Sequence, residues 1–384
     1  MPRHLLALAL GTLSLGIAEF SMMSILSNVA ESLAVSIPEA GHFISAYALG
    51  VCAGVALLVV AARGIALSRM LYILAGLIFA GNLFAALAFD YWSMLAARFI
   101  AGLPHGAYFG VGAIVATSLA APGQASRDVC LMVTGMTIAN LVGVPLGSFL
   151  AWSLSWRATF AVVACAALLL ILALRLWMPH VPALPNKGFR AQFRFLGHLT
   201  PWLVLGAIGL GNGGFFACYS YVNPIMETVA GVPASLMSAV IALAGFGMVA
   251  GNLLSARLAG RFSDQALACS GQCVLFLSLA GILLWAPSTA AAVILTTVAA
   301  GCVFFVSGPE QVMILTNARE GQLLAAALGQ TAFNFGNAVG AWLGGMPIDA
   351  GRTAEWSALP GCALAFTGFL LLALAWWIHL ERKR

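Results

Sequence analysis

Apolar runs of about twenty residues recur along the whole 384-residue chain, broken by short stretches rich in Gly, Pro and basic residues. A run of that length crosses the roughly 30 Å hydrocarbon core of a bilayer as a helix. The pattern predicts twelve spans: 5–30, 40–62, 69–89, 92–119, 128–151, 157–178, 201–227, 234–256, 266–286, 289–316, 321–347 and 356–378. They use roughly 240 positions and leave only short connections, with no separate soluble domain. Composition agrees: 62% hydrophobic residues, 8% charged residues and a mean hydropathy of +1.01 lie far from soluble domains. The expected fold class is therefore all-α, a polytopic membrane protein. The first run is too long for a signal-peptide core and lacks a convincing cleavage site, so it reads as a retained helix.

The basic residues are placed asymmetrically. With the N-terminus assigned to the cytoplasm, Arg3, Arg63, Arg69, Arg127, Arg175, Lys187, Arg190, Arg194, Arg257, Arg261, Arg319, Arg382, Lys383 and Arg384 share its side, and only Arg157 and Arg352 lie opposite. The positive-inside rule then puts both termini in the cytoplasm. The net charge of +5 is accounted for as topology signals beside anionic lipid, which argues against nucleic acid as a partner. The expected partners are the lipid bilayer and a small-molecule substrate, and the expected state is a monomer. Eight cysteines, Cys52, Cys130, Cys165, Cys218, Cys269, Cys273, Cys302 and Cys362, all fall inside predicted spans, which disfavours disulfides. Cys269 and Cys273 share a helix face but have no nearby His or acid cluster, so small apolar filler is favoured over a metal site.

The longest connection, 179–200, carries Pro179, Pro182 and Pro185 and then Lys187, Arg190 and Arg194, the composition of a cytoplasmic linker. It divides the chain into a six-helix bundle over 1–178 and a second over 201–384. The two show weak internal similarity. Gly50 and Gly54 in the second span are matched by Gly247 and Gly251 in the eighth; Gly135, Ala139, Gly143 and Gly147 in the fifth are matched by Gly336, Gly340 and Gly344 in the eleventh. Small-residue stripes let helix backbones approach in lipid. Each stripe alone fits static packing as well as motion. Their recurrence favours a tandem-repeat transporter with a midplane substrate site between rocking halves.

Glu19 lies some fifteen residues into the first apolar run. A charged group at a bilayer centre costs roughly 2.5–3.5 kcal/mol on insertion scales, so this acid must face protein or a water-filled path. It is a candidate protonatable coupling site, or else a structural acid satisfied by neighbouring donors. Arg98, Gly102, His105 and Phe109 follow a four, three, four spacing that places them on one face of the fourth span, expected to line an inner cavity. Arg98 stays charged and suits biasing an acid or holding an anion; His105 can change charge near neutral pH. Both also admit structural readings, Arg98 on backbone carbonyls and His105 as a hydrogen-bonded packing group. Asn212, Phe216, Tyr219 and Asn223 form a polar and aromatic face in the seventh span near a kink expected at Pro224, joined by Asn334 and Asn337 in the eleventh. These are candidate substrate contacts, with interhelical bonding the alternative for each Asn. Met22 offers adaptable apolar contact near Glu19 or plain packing. Glu310, beside Pro309, is a second unusual acid, placed toward the cytoplasmic end as a gate or surface-pairing group. His42 reads as an interfacial residue.

The strings RFIAGLPHGAYFGVGAIVA from Arg98, ANLVGVPLGSFL from Ala139, GIAEFSMMSIL from Gly16, SIPEAGHFISAYALGV from Ser36, WRATF from Trp156 and FNFGNAVGAWLGG from Phe333 strongly resemble the major facilitator superfamily. The likeness is to its twelve-helix drug:proton antiporter branch, in the arabinose-efflux-permease-like group of sugar, chloramphenicol and purine exporters, and it spans nearly the whole chain. The resemblance implies that Arg98 belongs to a fourth-helix motif tied to proton coupling. It implies likewise that Gly143, Pro145 and Gly147 form the fifth-helix motif of exporters. The cytoplasmic-loop motif is degraded: no acid lies between Gly54 and Arg69, and in the second copy, with Gly251, Arg257 and Arg261, Gly260 stands where the family usually has Asp. The combined expectation is a proton-coupled exporter of sugars, nucleosides or drugs in a bacterial inner membrane, working by alternating access, with Glu19, Arg98 and His105 as the coupling group and no cofactor beyond the proton. The alternative within transport is an uncoupled facilitator or importer. Enzyme motifs such as HExxH, paired intramembrane aspartates or a nucleophile elbow do not occur.

Overall fold

The computed structural model describes residues 2–61, 65–121, 125–183, 190–259, 261–318 and 322–381. Arg63, Lys187, Gly260, Arg319 and residues 382–384 of the sequence reading lie outside them. The described chain is a bundle of membrane-length helices. The first expected span is two helices, α1 (Arg3–Ser24) and α2 (Leu26–Leu33), because Ile25 leaves the helical region at φ −121° and ψ 16°. Ser24 contributes by turning its hydroxyl back to the Ser21 carbonyl at 2.9 Å, where it competes with the helical ladder. Next come α3 (Ile37–Ala61), α4 (Leu67–Ala86) and α5 (Tyr91–Leu119). At the start of α5 the Asp90 carboxylate accepts the Ser93 N–H at 2.8 Å, and the Ser93 hydroxyl accepts the Asp90 N–H at 3.0 Å. This reciprocal cap closes two orphan donors. The Ser93 side chain, then its backbone N–H, holds the Asp90 carboxyl below its usual range.

The fifth span consists of α6 (Ala125–Ile138), a wide π turn at Ala139–Gly143, and α7 (Val144–Ser153). Pro145 has no N–H and its ring would crowd the carbonyl four residues back, and the wider turn just before it relieves that conflict. After α8 (Trp156–Trp177), the seventh span is broken more heavily than the single expected helix with one kink. It runs through α9 (Leu199–Gly206), a π turn at Ala207–Gly211, α10 (Asn212–Tyr219), a break at Ser220 and Tyr221, the three-residue α11 (Val222–Pro224) and a π turn at Ile225–Val229. The remaining helices are α12 (Met237–Leu258), α13 (Asp264–Trp285), α14 (Thr289–Asn317), α15 (Gln322–Asp349) and α16 (Ala358–Glu381).

Eleven described segments are long and apolar enough to cross a membrane. The expected eleventh span, α15, is a helix of 28 residues that Gln322, Gln330, Asn334 and Asn337 make more polar than the others. With it, an even number of crossings returns the chain to its starting side; that side is the terminal face below, and the other is the far face.

Before residue 178, α3 packs on α5, α4 on α5 and α8, and α1 on α6 and α8; after residue 199, α12 packs on α14, α13 on α14 and α16, and α10 on α15 and α16. Two seams join these sets: α15 runs along α3, and α12 runs along α7 and the π turn before it. The matched glycines explain two intimate pairs. A Cβ at Gly50 or Gly54 would enter the Phe99 or Leu103 carbonyl of α5, and one at Gly247 or Gly251 would enter the Thr297 or Gly301 carbonyl of α14. In lipid such close contact replaces hydrophobic drive as the source of helix association. The outward surface is apolar, with Leu169, Leu277, Leu284 and Ile294 more than half exposed.

Candidate functional site

A cavity of about 170 Å³ lies where α1, α5, α6, the π turn after α9, α14 and α15 meet. Its wall holds Glu19 and Phe20 from α1, His105 and Phe109 from α5, and Met136 from α6. From the other side come Ile208, then Phe304, Ser307, Glu310 and Gln311 of α14, and Gly329, Gln330 and Phe333 of α15. At 1.5 Å per residue, Gln311 sits roughly 9 Å from the terminal-face end of α14, so the cavity occupies the half of the bundle nearer the termini.

Glu19 is 3% exposed and stands at the inner end of this space. Its Oε2 is 3.8 Å from His105 Nε2, and its Oε1 accepts a hydrogen bond from Asn337 Nδ2 at 3.3 Å. The carboxyl thus faces the His105 imidazole of α5 on one side and is hydrogen-bonded from α15 on the other. Among the described residues, the His105–Glu19 contact is the single acid–base pair at ion-pair distance. The His105 ring stacks on Phe109 with centroids 5.3 Å apart, and its Nδ1 meets the Tyr47 hydroxyl at 2.8 Å. When Tyr47 donates to Nδ1, the imidazole proton sits on Nε2 and faces Glu19.

Arg98 departs from expectation. It shares a helix face with His105 but is not part of the cavity wall, its guanidinium lying over the Tyr47 ring. It is 0% exposed, its guanidinium lies 4.4 Å from the Tyr47 centroid and 5.4 Å from that of Phe160, and Nη1 donates to the Ala18 carbonyl at 2.9 Å. That carbonyl belongs to the residue before Glu19, so Arg98 fixes the stretch of α1 that presents the acid.

The candidate substrate contacts separate. Phe109 lines the cavity; Met22, Asn212, Phe216, Tyr219, Asn223, Asn334 and Asn337 do not. Met22 is wholly packed in the core. Asn212 donates to Glu310 Oε2 at 2.9 Å, and Asn334 donates to the Gln330 carbonyl one turn earlier on its own helix at 3.0 Å. Phe216 packs on Phe20 and Phe333, with centroids 6.4 and 5.3 Å away, and Tyr219 meets Phe20 edge-on at 6.5 Å. Asn223 accepts the Ser27 N–H at 2.8 Å. Phe216, Tyr219 and Asn223 close the bundle against α1 and α2 on the far-face side of Glu19, and along the α3–α15 seam the Ser45 hydroxyl donates to the Ala338 carbonyl at 2.9 Å. Glu310, expected as a gate or surface group, is buried at 2% exposure in the cavity wall. The wall residues that the sequence reading passed over include Phe304, Ser307 and Gln311. Their three and four spacing was a helix-face signal of the kind applied elsewhere.

Gly143 and Gly147 bring the fifth span against α1: a Cβ at Gly143 would enter Ile17, and one at Gly147 would meet Thr159 and Ser21. Pro145 follows the π turn that packs on α12. Gly340 lies against the Gly213 carbonyl of α10. Gly251 is held at α14, and Arg257 and Arg261 are exposed without an acid partner among the described residues. His42 Nδ1 meets the Tyr91 hydroxyl at 2.8 Å near the far face.

The architecture recurs in solved structures. The crystal structure of a D-xylose–proton symporter superposes with a TM-score of 0.78 at 18% identity, covering 97% of both chains, a likeness of fold. In sequence, the chain is 39% identical over 374 residues to the putative transporter AraJ of Escherichia coli strain K12, covering 97% of this chain and 95% of that protein. A chloramphenicol resistance protein of Streptomyces lividans is 29% identical over 281 residues, covering 72% of this chain and 71% of that protein. The family and these relatives are transporters, not enzymes. A bundle of apolar helices around a buried acid at a central cavity, the breadth of these likenesses and the match of residues 8–322 to the Major Facilitator Superfamily together establish that the chain belongs to that superfamily, as an arabinose-efflux-permease-like member.

Proposed function

We propose that the chain exports a small organic molecule across the bacterial inner membrane in exchange for protons, by alternating access. Two six-helix units, 1–178 and 201–384, joined through 179–200, rock about the central cavity, and both termini face the cytoplasm. The observation that carries this reading is the double grip on Glu19: His105 belongs to one unit and Asn337 to the other. Rocking the units must break one of these contacts, so the surroundings of the carboxyl change with conformation. A group whose surroundings alternate between two sides can take a proton on one and release it on the other. Efflux is supported by a probable sugar efflux transporter of Helicobacter pylori strain HPAG1, 27% identical over 253 residues.

Arg98 fixes the α1 backbone at Ala18, and His105 and Asn337 exchange hydrogen-bonding partners with Glu19 as its protonation changes. The cavity, with its phenylalanine walls and a few amide and hydroxyl groups, takes the substrate. The test is substrate counterflow and gradient-driven transport in proteoliposomes. Glu19→Gln should abolish acceleration by an inward proton gradient while leaving counterflow intact. Gradient-driven transport surviving in that variant would remove Glu19 from the mechanism. A wild-type protein showing counterflow but no response to the gradient would instead identify an uncoupled facilitator.

A further inference from the structure

Proton exchange at Glu19 leaves a second buried acid without a role. Glu310 stands beside Pro309 on α14, in the wall of the same cavity. Its Oε2 is held by Asn212 Nδ2 at 2.9 Å, which fixes the carboxyl plane. The remaining acceptors of the pair, Glu310 Oε1 and Asn212 Oδ1, are both buried and have no hydrogen-bond partner among the described residues. Among the described residues, no Arg, Lys or His stands at ion-pair distance from Glu310. The other titratable groups of the cavity are Glu19 and His105, which already face one another.

Buried acceptors are rarely left open in native proteins, and two on one hydrogen-bonded pair point to a partner that comes and goes. That partner must be rich in donors. A carboxylate without a protein cation is best answered by a cation, and a primary ammonium brings one positive charge and three N–H donors in a single compact group. A hydroxyl supplies one donor and no charge. An anion meets two carboxyls here, while Arg98 is shut behind the Tyr47 ring. Phe304 and Phe333 are in the same wall and offer faces to the rest of the ligand. Resting on the reading that this cavity carries the substrate, we propose that Glu310, held in place by Asn212, forms a binding subsite for a primary ammonium group whose apolar body lies against Phe304 and Phe333.

The test is equilibrium binding to purified protein in lipid nanodiscs at neutral pH with no gradient, using phenethylammonium and its neutral isostere phenethyl alcohol. The wild type should bind the ammonium roughly tenfold or more tightly than the alcohol. Glu310→Gln, which keeps the side-chain shape, should bring the two within about a factor of two, and Asn212→Ala should lower the preference. Melting profiles of the variants confirm that each is folded before its affinities are compared. Equal affinities in the wild type, a preference that survives Glu310→Gln, or no ammonium binding at millimolar concentration would each overturn the subsite. Because binding is read without a gradient, a failure of proton-driven transport leaves this result standing, and a failed subsite leaves the Glu19 exchange standing.

Discussion

Tyr47 ties together Arg98 and His105, the two buried basic side chains of the fourth span. Its hydroxyl meets His105 Nδ1 at 2.8 Å, and its ring lies 4.4 Å from the Arg98 guanidinium. Removing only the hydroxyl strands a buried imidazole nitrogen, a cost of about 1–3 kcal/mol. Removing the ring also opens a cavity and uncovers the guanidinium, and large-to-small changes at buried aromatics cost about 3–5 kcal/mol. Tyr47→Phe should therefore lower the stability of purified protein clearly less than Tyr47→Ala, as read by unfolding in detergent. Equal losses would mean that the ring has no part in holding Arg98. Asn337→Ala makes a related point from the other side: it removes the bond from α15 to Glu19, and the net value of such a bond is about 0.5–1.5 kcal/mol. The variant should keep its fold and counterflow while its proton-driven transport weakens; unchanged coupling would show that the second contact on Glu19 is incidental. At this scale Glu19 and His105 were legible because a charge-bearing group in an apolar run stands out. Tyr47 was not, since a tyrosine is unremarkable in a membrane helix. Spacing correctly put Arg98 and His105 on one face, but it gives no sign that a ring from a neighbouring helix covers one and leaves the other open.

Glycine spacing makes the element scale the most readable. The stripe Gly336, Gly340 and Gly344 carries α15 onto the seventh span: added Cβ atoms would enter the carbonyls of Gly209, Gly213 and Ala217. Gly340→Val should force α15 and α10 apart, and overpacking of this kind costs typically about 1–3 kcal/mol. Gly76→Ala on α4 is the control, because no atom of the described residues lies within 4 Å of its Cβ and the change favours a helix by up to about 1 kcal/mol. Thermal unfolding should rank Gly340→Val well below the wild type and Gly76→Ala level with it or above. A tolerated valine at Gly340 would mean that the seam is looser than its geometry. The helix interruptions were legible only in part. Pro224 marked the one expected kink, whereas the π turn before Pro145 was not expected and the break at Ile25 carries no proline or glycine of its own. It sits where α1 and α2 meet α11, so tertiary contact acts there beside the local Ser24 hydroxyl bond.

At the scale of the whole molecule, the closed side and the cavity side lie at opposite ends of the space between the two sets of helices. Toward the far face the N- and C-terminal sets of helices touch through Phe20 with Phe216 and Tyr219, and through the Ser27 N–H donating to Asn223 at 2.8 Å. Toward the terminal face the walls part to form the cavity. Rigid-body rocking requires the far-face contacts to separate in the other state. A covalent tie between Ser27 and Asn223 should hold the molecule as it is seen here. The eight native cysteines are all free thiols, and Cys52 donates across the seam to the Thr331 carbonyl, so they must first be replaced by Ser or Ala. In that background the Ser27→Cys, Asn223→Cys protein, once oxidised, should lose transport by roughly tenfold or more, since a state that cannot be populated cannot be visited in the cycle. Reduction should restore it, and either single variant should be insensitive to oxidant. Binding of ligand from the terminal face should survive the cross-link, because the cavity and its wall are left as they are. An oxidised protein that transports at the rate of the reduced one would show that the far face never opens along this seam, and the exchange assigned to Glu19 would then lack its second side.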